Sequence, residues 1–265
     1  MGVRIASWNI NSARLRAEQA ARLVAERGID VLCLQEIKCR EAEFPAQALA
    51  DVGLRHLRIC AQKGWHGVAI ASRLPLQDTP ALALCREGHA RNVSARVAGI
   101  EVHNLYVPAG GDVPDCSANP KFAHKLDFLG RLAREMGRRD PGEAVVLAGD
   151  LNVAPGEHDV WNHRFMSKVV SHTPVEIDAL VAVRDSLGFI DLAREARPAP
   201  EKLFTWWSYR ALDFRLSNRG LRLDHLWVTP AIRQAANIDA VRIHDDVRSW
   251  VRPSDHAPVS IDLDL

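Results

Sequence analysis

The sequence has no run approaching the roughly 20 apolar residues that a membrane helix needs, and its opening stretch, MGVRIASWNIN, lacks the apolar segment of a signal peptide. A soluble, cytoplasmic protein with no membrane partner is therefore expected. Cysteine is sparse: Cys33, Cys39, Cys60, Cys85 and Cys116 are odd in number and show none of the short paired spacings used for zinc. Those five read as reduced thiols rather than staples. An excess of one charge is also missing, with 34 Lys and Arg against 33 Asp and Glu, so any surface for a polyanion must be a local patch. Repeats of 20 to 50 residues and low-complexity tracts are absent as well, which removes solenoids and disordered linkers. What remains is a globular balance, 47% hydrophobic and 25% charged, long enough for one large α/β domain over residues 1–265.

Apolar runs of strand length alternate with amphipathic stretches. Val31 to Leu34 and Ala144 to Ala148 are apolar on both faces, as strands covered by helices are. Ser12 is expected to cap a helix closing at Gly28, and Asn119-Pro120 to open another running toward Gly137. The second places Phe122, Leu126, Leu129, Leu132 and Met136 on one stripe, leaving Lys121, Lys125, Arg134 and Arg138 for solvent. Successive strand-like runs from Val68 to Val107 suggest antiparallel hairpins, and Arg197 to Pro200 a loop.

Polar residues gather at the ends of the apolar runs. Asn9 follows Ile5 to Trp8, Gln35-Glu36 follow Val31 to Leu34, Tyr106 ends Val102 to Leu105, and Asp150 ends Val145 to Gly149 with Asn152 beyond. Late in the chain the order reverses: Asp224-His225 precede Leu226 to Val228, and Asp255-His256 precede Val259 to Leu263. If the late strands run antiparallel to the early ones, all these ends meet at one edge. Glu36, Asp150, Asp224 and Asp255 would then repel one another unless neutralised by a cation. The ligand set is carboxylate and amide oxygen with one or two imidazoles, which suits Mg²⁺, or Mn²⁺, better than Zn²⁺.

The motifs WNIN (Trp8 to Asn11), LQE (Leu34 to Glu36), YVP (Tyr106 to Pro108), GDLN (Gly149 to Asn152), RGLRLDH (Arg219 to His225) and SDHAP (Ser254 to Pro258) resemble, in order and across the whole chain, the signature series of the exonuclease III and abasic-site endonuclease family. The resemblance implies a four-layered α/β sandwich of the DNase I type, two packed mixed sheets flanked by helices. It also implies a Mg²⁺-dependent phosphodiesterase, in a bacterial cytoplasm, acting as a monomer on double-stranded DNA with damaged or recessed 3′ ends or abasic sites. By resemblance Glu36 is the principal metal ligand with Asn9 beside it, and Asp150, Asn152, Asp255 and His256 belong to the same set. Asp150 orients or deprotonates the attacking water, Asn152 steadies it, and His256, its tautomer fixed by Asp224 or Asp255, donates to a phosphate oxygen. Tyr106 hydrogen-bonds the phosphate. Trp206, Trp207 and Leu221 line a pocket for an unstacked sugar, and Arg91, Lys121 and Arg210 are backbone contacts.

Two departures qualify the resemblance. After YVP the family often carries an amide that touches DNA, where this chain has Ala109-Gly110-Gly111. Beyond GDLN stand Glu157, His158, Trp161 and His163, one of whose rings is expected to narrow the pocket in favour of 3′-end removal. Each residue also has a plainer reading: Asp150 and Asp255 as turn formers, Asn9 as a turn residue, Tyr106 and the tryptophans as core, and His103, His124 and His172 as ordinary histidines. Two further functions stay open from the residues, a phosphatase of the same superfamily acting on a small or lipid phosphoester, and a catalytically silent DNA-binding scaffold.

Overall fold

A computed structural model describes residues 2–210 and 213–265. The strands are β1 (Gly2–Asn9), β2 (Val31–Gln35), β3 (His56–Cys60), β4 (Val68–Ser72), β5 (Asn92–Val97), β6 (Ile100–Tyr106), β7 (Val145–Asp150), β8 (Ile190–Asp191), β9 (Trp206–Trp207), β10 (Gly220–Leu221), β11 (Asp224–Val228), β12 (Ala236–Ile243) and β13 (Val259–Asp264). The helices are α1 (Ala17–Arg27), α2 (Ala46–Asp51), α3 (Pro120–Met136), α4 (His163–Met166), α5 (Pro174–Ser186), α6 (Leu192–Ala196) and α7 (Phe214–Ser217). Six strands form one sheet in the order β12-β13-β1-β2-β4-β3, and five form a second in the order β5-β6-β7-β11-β8. Both sheets mix parallel and antiparallel pairs.

Side chains along a strand alternate faces, and here the alternation builds three hydrophobic layers. Val3, Ile5, Val31, Cys33, Val102, Val146, Ala148, Leu226, Val228, Val259 and Ile261 fill the space between the sheets. Ala6, Trp8, Leu32 and Leu34, from the alternate positions, pack with Leu23 and Val24 of α1 and Leu49 of α2. On the far side Leu105, Val145 and Leu147 meet Phe128, Leu129 and Leu132 of α3 and Leu180 and Val183 of α5. The result is helix, sheet, sheet, helix, the layering that the resemblance implied. No helix among the described residues is long and apolar enough to cross a membrane.

Two local expectations fail for physical reasons. The first helix begins at Ala17, not after Ser12. The Ser12 and Ala13 amides instead donate to the carbonyls of Glu36 and Ile37, so the chain crosses over the end of β2 before it can coil. Its C-terminus is where the sequence places it, at Gly28 in the left-handed conformation. In α3, capped by Asn119 and closed at Gly137, Lys125 is not on the solvent face but fully buried. Its ammonium pairs with Glu176 of α5 and donates to the carbonyl oxygens of Asn152, at 2.7 Å, and Ala109, at 3.3 Å. Phe128 takes the core position and Leu126 is only half buried.

Candidate active site

The period-2 rule that makes the inter-sheet core also makes the site. On β1 the inward set reads Val3, Ile5, Ser7, Asn9; on β7, Val146, Ala148, Asp150; on β11, read backwards, Val228, Leu226, Asp224; on β6, Val102, Asn104, Tyr106. Each stripe turns from apolar to polar at the same end of the sandwich. β13 runs antiparallel to β1, and β11 antiparallel to β7, so the late motifs arrive at that end too. Asp150 is in direct register with Tyr106 on one neighbour and Asp224 on the other, which forms a polar row across three strands. Gly149 permits the approach: at φ +143° a Cβ there would lie 2.0 Å from the Leu105 carbonyl oxygen, so a side chain would push β6 and β7 apart.

The Asn9 amide joins the two sheets, its Nδ2 donating to Glu36 Oε1 and to Asp150 Oδ2, each at 2.9 Å. The Tyr106 hydroxyl donates to the same Glu36 oxygen at 2.8 Å, and Lys38 Nζ lies 2.7 Å from Glu36 Oε2. Asp150 Oδ1 accepts from the Asn152 backbone N–H at 3.0 Å, while Asn152 Nδ2 donates to the Val107 carbonyl at 2.9 Å and to Asp150 Oδ2 at 3.2 Å. Glu36 and Asn152 both hold left-handed backbones, at φ 52° and 53°. Asparagine adopts this region readily, whereas a glutamate there carries strain on the order of 1 kcal/mol or more, which the bonds on Glu36 offset. Behind Glu36 a buried relay braces the sheets: Gln35 Nε2 donates to Asn104 Oδ1 at 2.7 Å, and Asn104 donates to the carbonyls of Leu34 and Ala69.

His256 Nδ1 lies 2.8 Å from Asp224 Oδ2, and its Nε2 lies 3.8 Å from Asp150 Oδ2. Of the two carboxylates that sequence left as its orienting partner, the structure selects Asp224. Burial opposes the charge on this ring, but the carboxylates of Asp224 and Asp150 outweigh it and raise the imidazolium to about 10. While protonated it has no lone pair to offer a cation. Burial first, then the charges of Asp224 and Glu36, push Asp150 up to about 7 against the pull of His256 and Asn9. The Asp255 oxygens are both engaged, Oδ1 with Asn11 Nδ2 at 3.1 Å and Oδ2 with Trp206 Nε1 at 3.0 Å. Burial would raise Asp255, but His256 and these hydrogen bonds hold it below the usual carboxylate value.

The donor set fits a hard divalent cation. Asp150 and Asp224 present buried carboxylate oxygens within 4.8 Å of each other and of the His256 ring, and Asp224 Oδ1 is buried with no hydrogen-bond partner. The ligands come from the carboxylates, while His256, the imidazole that the sequence offered to the metal, serves as a hydrogen-bond donor. Glu36 reaches the same cluster through the shared Asn9 amide. Oxygen donors of this kind suit Mg²⁺-like ions. A cavity of about 740 Å³ opens on the cluster, lined by Glu36, Asp150, Asn152, Asp255 and His256 together with Trp161, Phe165, Met166, Trp206 and Leu221. Arg210 and Arg219 stand at its wall, with the Arg219 guanidinium 4.9 Å over the Trp161 ring.

Several sequence candidates lie elsewhere. Trp207 turns away from the cavity into a core with Phe204 and Ala257, its ring edge-on to Phe204 and Phe214. Neighbours on a strand point oppositely, and Trp206 has the cavity side. Arg91 is buried, donating to the Tyr106 carbonyl at 3.2 Å and lying 4.8 Å over the Tyr106 ring, so it buttresses the site. Lys121 is exposed at the start of α3. Of the residues after GDLN, Trp161 is the ring in the cavity wall; His158 lines a separate depression, and His163 bonds His172 at 2.8 Å. The sequence reading passed over Lys38, Asn11, Asn104 and Ser254, whose Oγ donates to the Asn9 carbonyl at 2.7 Å. Position within the WNIN and SDHAP motifs was the available signal for Asn11 and Ser254.

Lys125 also bears on the site, because it ties the Ala109 and Asn152 turns to α5. Removing one partner of a buried pair strands the other charge. Lys125→Met is therefore expected to cost about 3–5 kcal/mol in urea unfolding, with a severalfold fall in turnover as the Asn152 turn loosens.

Comparison with known proteins agrees with this geometry. The pattern of the endonuclease/exonuclease/phosphatase family matches residues 6–256. Exodeoxyribonuclease III of Haemophilus influenzae is 29% identical over 269 residues, covering 96% of this chain and 97% of that one. Among solved structures, an AP endonuclease from Archaeoglobus fulgidus superposes with a TM-score of 0.91 at 30% identity, over 99% of this chain and all (100%) of that one. The 3′ phosphatase NExo from Neisseria, bound to product DNA hairpin, does so with 0.88 at 34% identity over 99% and 100%. Full-length coverage, together with an acidic centre built from the ends of both sheets, establishes that this chain belongs to the endonuclease/exonuclease/phosphatase family.

Proposed function

We propose that the chain is a Mg²⁺-dependent DNA-repair nuclease of the exodeoxyribonuclease III type, a cytoplasmic monomer that removes 3′-terminal nucleotides and 3′ phosphates and incises abasic sites. One observation carries the reading: a buried carboxylate and imidazolium centre opens on a cavity with a wall that is in part aromatic and apolar. A phosphatase for small headgroups has little use for such a wall, whereas an unstacked deoxyribose fits it. The relatives named for DNA chemistry, one of them bound to a DNA hairpin, support the same substrate.

Glu36 is the principal ligand for the cation, with Asp150 and Asp224 contributing negative charge from the second sheet. When bound, Mg²⁺ supplies Lewis-acid stabilisation of charge on the phosphate and the leaving oxygen. Asp150, held by three donors from Asn9 and Asn152, accepts the proton of the attacking water. Asn152 fixes that carboxylate through both its backbone and its amide. His256, its Nδ1–H directed at Asp224, presents Nε2–H to a phosphate oxygen. Tyr106 and Asn9 orient Glu36, while Trp161, Trp206 and Leu221 receive the sugar. Lys121, Arg210 and Arg219 contact phosphates along the strand.

Defined duplexes with a recessed 3′ end, a 3′ phosphate and an internal abasic site, assayed with Mg²⁺ and with chelator, test this reading. Cleavage of all three, lost in chelator, is expected; a preference for a free sugar phosphate or inositol phosphate over every duplex would overturn it. Trp161→Ala should raise incision at the abasic site severalfold relative to 3′-end removal, because the wall it forms limits entry of an internal nucleotide. An unchanged ratio would remove Trp161 as the selective ring.

A further inference from the structure

The loop before β5 builds a second ligand cluster, distinct from the acidic centre. The turn Cys85 to Gly88 closes with the Gly88 N–H donating to the Cys85 carbonyl at 3.1 Å, and it carries Glu87 and His89 toward His124 of α3. Glu87 Oε2 lies 3.4 Å from His89 Nδ1 and 3.4 Å from His124 Nδ1. One ligand atom from each of the three residues lies within 4.8 Å of the other two. A tetrahedral ion with bonds of about 2.1 Å has ligand-to-ligand edges of about 3.4 Å, so two edges already have the right length. The His89 Nδ1 atom is buried and has no hydrogen-bond partner.

The surroundings fix both rings. His66 stacks on His89 with centroids 4.2 Å apart, and the Ala90 N–H donates to Gln62 Oε1 at 3.0 Å, which pins the chain next to His89. The Cys85 sulfur lies 3.3 Å from His124 Nε2. With that nitrogen protonated toward sulfur, the His124 lone pair is on Nδ1, facing Glu87. A ligating histidine whose other ring nitrogen is held by a partner is the usual arrangement at transition-metal sites. Two imidazoles, one carboxylate and a nearby thiol make a softer set than the oxygen-rich centre at Glu36, and select ions such as Zn²⁺, Co²⁺ or Ni²⁺ over Mg²⁺.

We propose that Glu87, His89 and His124 form a second metal site, for a zinc-class divalent ion, that pins the loop preceding β5 to α3. The side chain of Glu87 is partly exposed, so the site opens to solvent and keeps a fourth position for water or a small anion. Its location gives it leverage: the same loop continues into Arg91, which lies over Tyr106, and Tyr106 holds Glu36. An ion there would stiffen one wall of the acidic centre without touching substrate.

The test is a Co²⁺ titration of the full chain in excess Mg²⁺, read by the visible absorption of low-symmetry cobalt, with thermal unfolding followed in parallel. One equivalent should give the absorption band and raise the melting temperature in wild type and in Glu36→Gln. His89→Ala and His124→Asn should lose both, and Glu87→Gln should bind at least tenfold more weakly. No band in wild type, or a band that survives both histidine substitutions, overturns the proposal. If His124→Asn does not fold, His89→Ala, at the partly exposed rim, decides alone. Retention of the band in Glu36→Gln separates this site from the acidic centre, so the proposed function and the second site can fail independently.

Discussion

Replacing Asp150 by Asn is expected to lower kcat on a recessed 3′ end by about 10³-fold or more, the scale of a lost general base, while duplex binding stays measurable. The substitution keeps the shape and leaves the Asn152 backbone N–H an oxygen to bond, so the loss is one of proton acceptance. A second consequence has the opposite sign. In metal-free buffer the folded chain holds the Asp150 proton up to about pH 7, whereas the unfolded carboxyl releases it near its ordinary 3.8. The raised value means that wild type is stabilised at low pH and loses that stability as pH rises from about 4 to about 7. The variant has no such slope. Its stability relative to wild type should therefore rise between about pH 4 and about 7, from a lower starting level, because an amide nitrogen cannot accept from Asn9 and Asn152 as Asp150 Oδ2 does. Urea unfolding in chelator across this range checks it, and a variant whose stability falls with pH as steeply as that of wild type would show that Asp150 is not held protonated.

Glu36→Gln is the second large effect. The amide can retain the bonds from Tyr106 and Asn9 but loses the charge proposed to hold the cation, and it leaves Lys38 with Asn11 but without its carboxylate partner. Turnover should fall by about 10³-fold at every Mg²⁺ concentration, with KM for DNA nearly unchanged because the aromatic wall and the basic contacts lie elsewhere. A Mg²⁺ activation curve superimposable on wild type would remove Glu36 from the metal centre.

Much of this site was legible because it is made by the rules that make the core. Strand alternation, with antiparallel pairing of β7 to β11 and parallel pairing to β6, puts Asp150 beside Asp224 and Tyr106, and the polar ends follow from apolar runs that end in polar residues. The four layers follow from runs apolar on both faces. Other features depend on partners remote in sequence. Lys125 reads as a solvated helix charge until Glu176, 51 residues later, is packed against it. Arg91 reads as a phosphate contact, yet Tyr106 folds over it. Trp206 and Trp207 are adjacent and alike, and only strand register tells which faces the cavity. The start of α1 could not be read from a cap because the Glu36 carbonyl competes for the Ser12 amide.

The account rests on carboxylates of two sheets sharing one hard cation. Mn²⁺ binding, measured by the loss of the free-ion paramagnetic resonance signal as wild-type or Glu36→Gln protein is added, tests it most directly. Wild type should remove the signal with an affinity at least ~10-fold greater than the variant, taking the effect of a lost coordination partner as the lower bound. Equal affinities in the two proteins would contradict it.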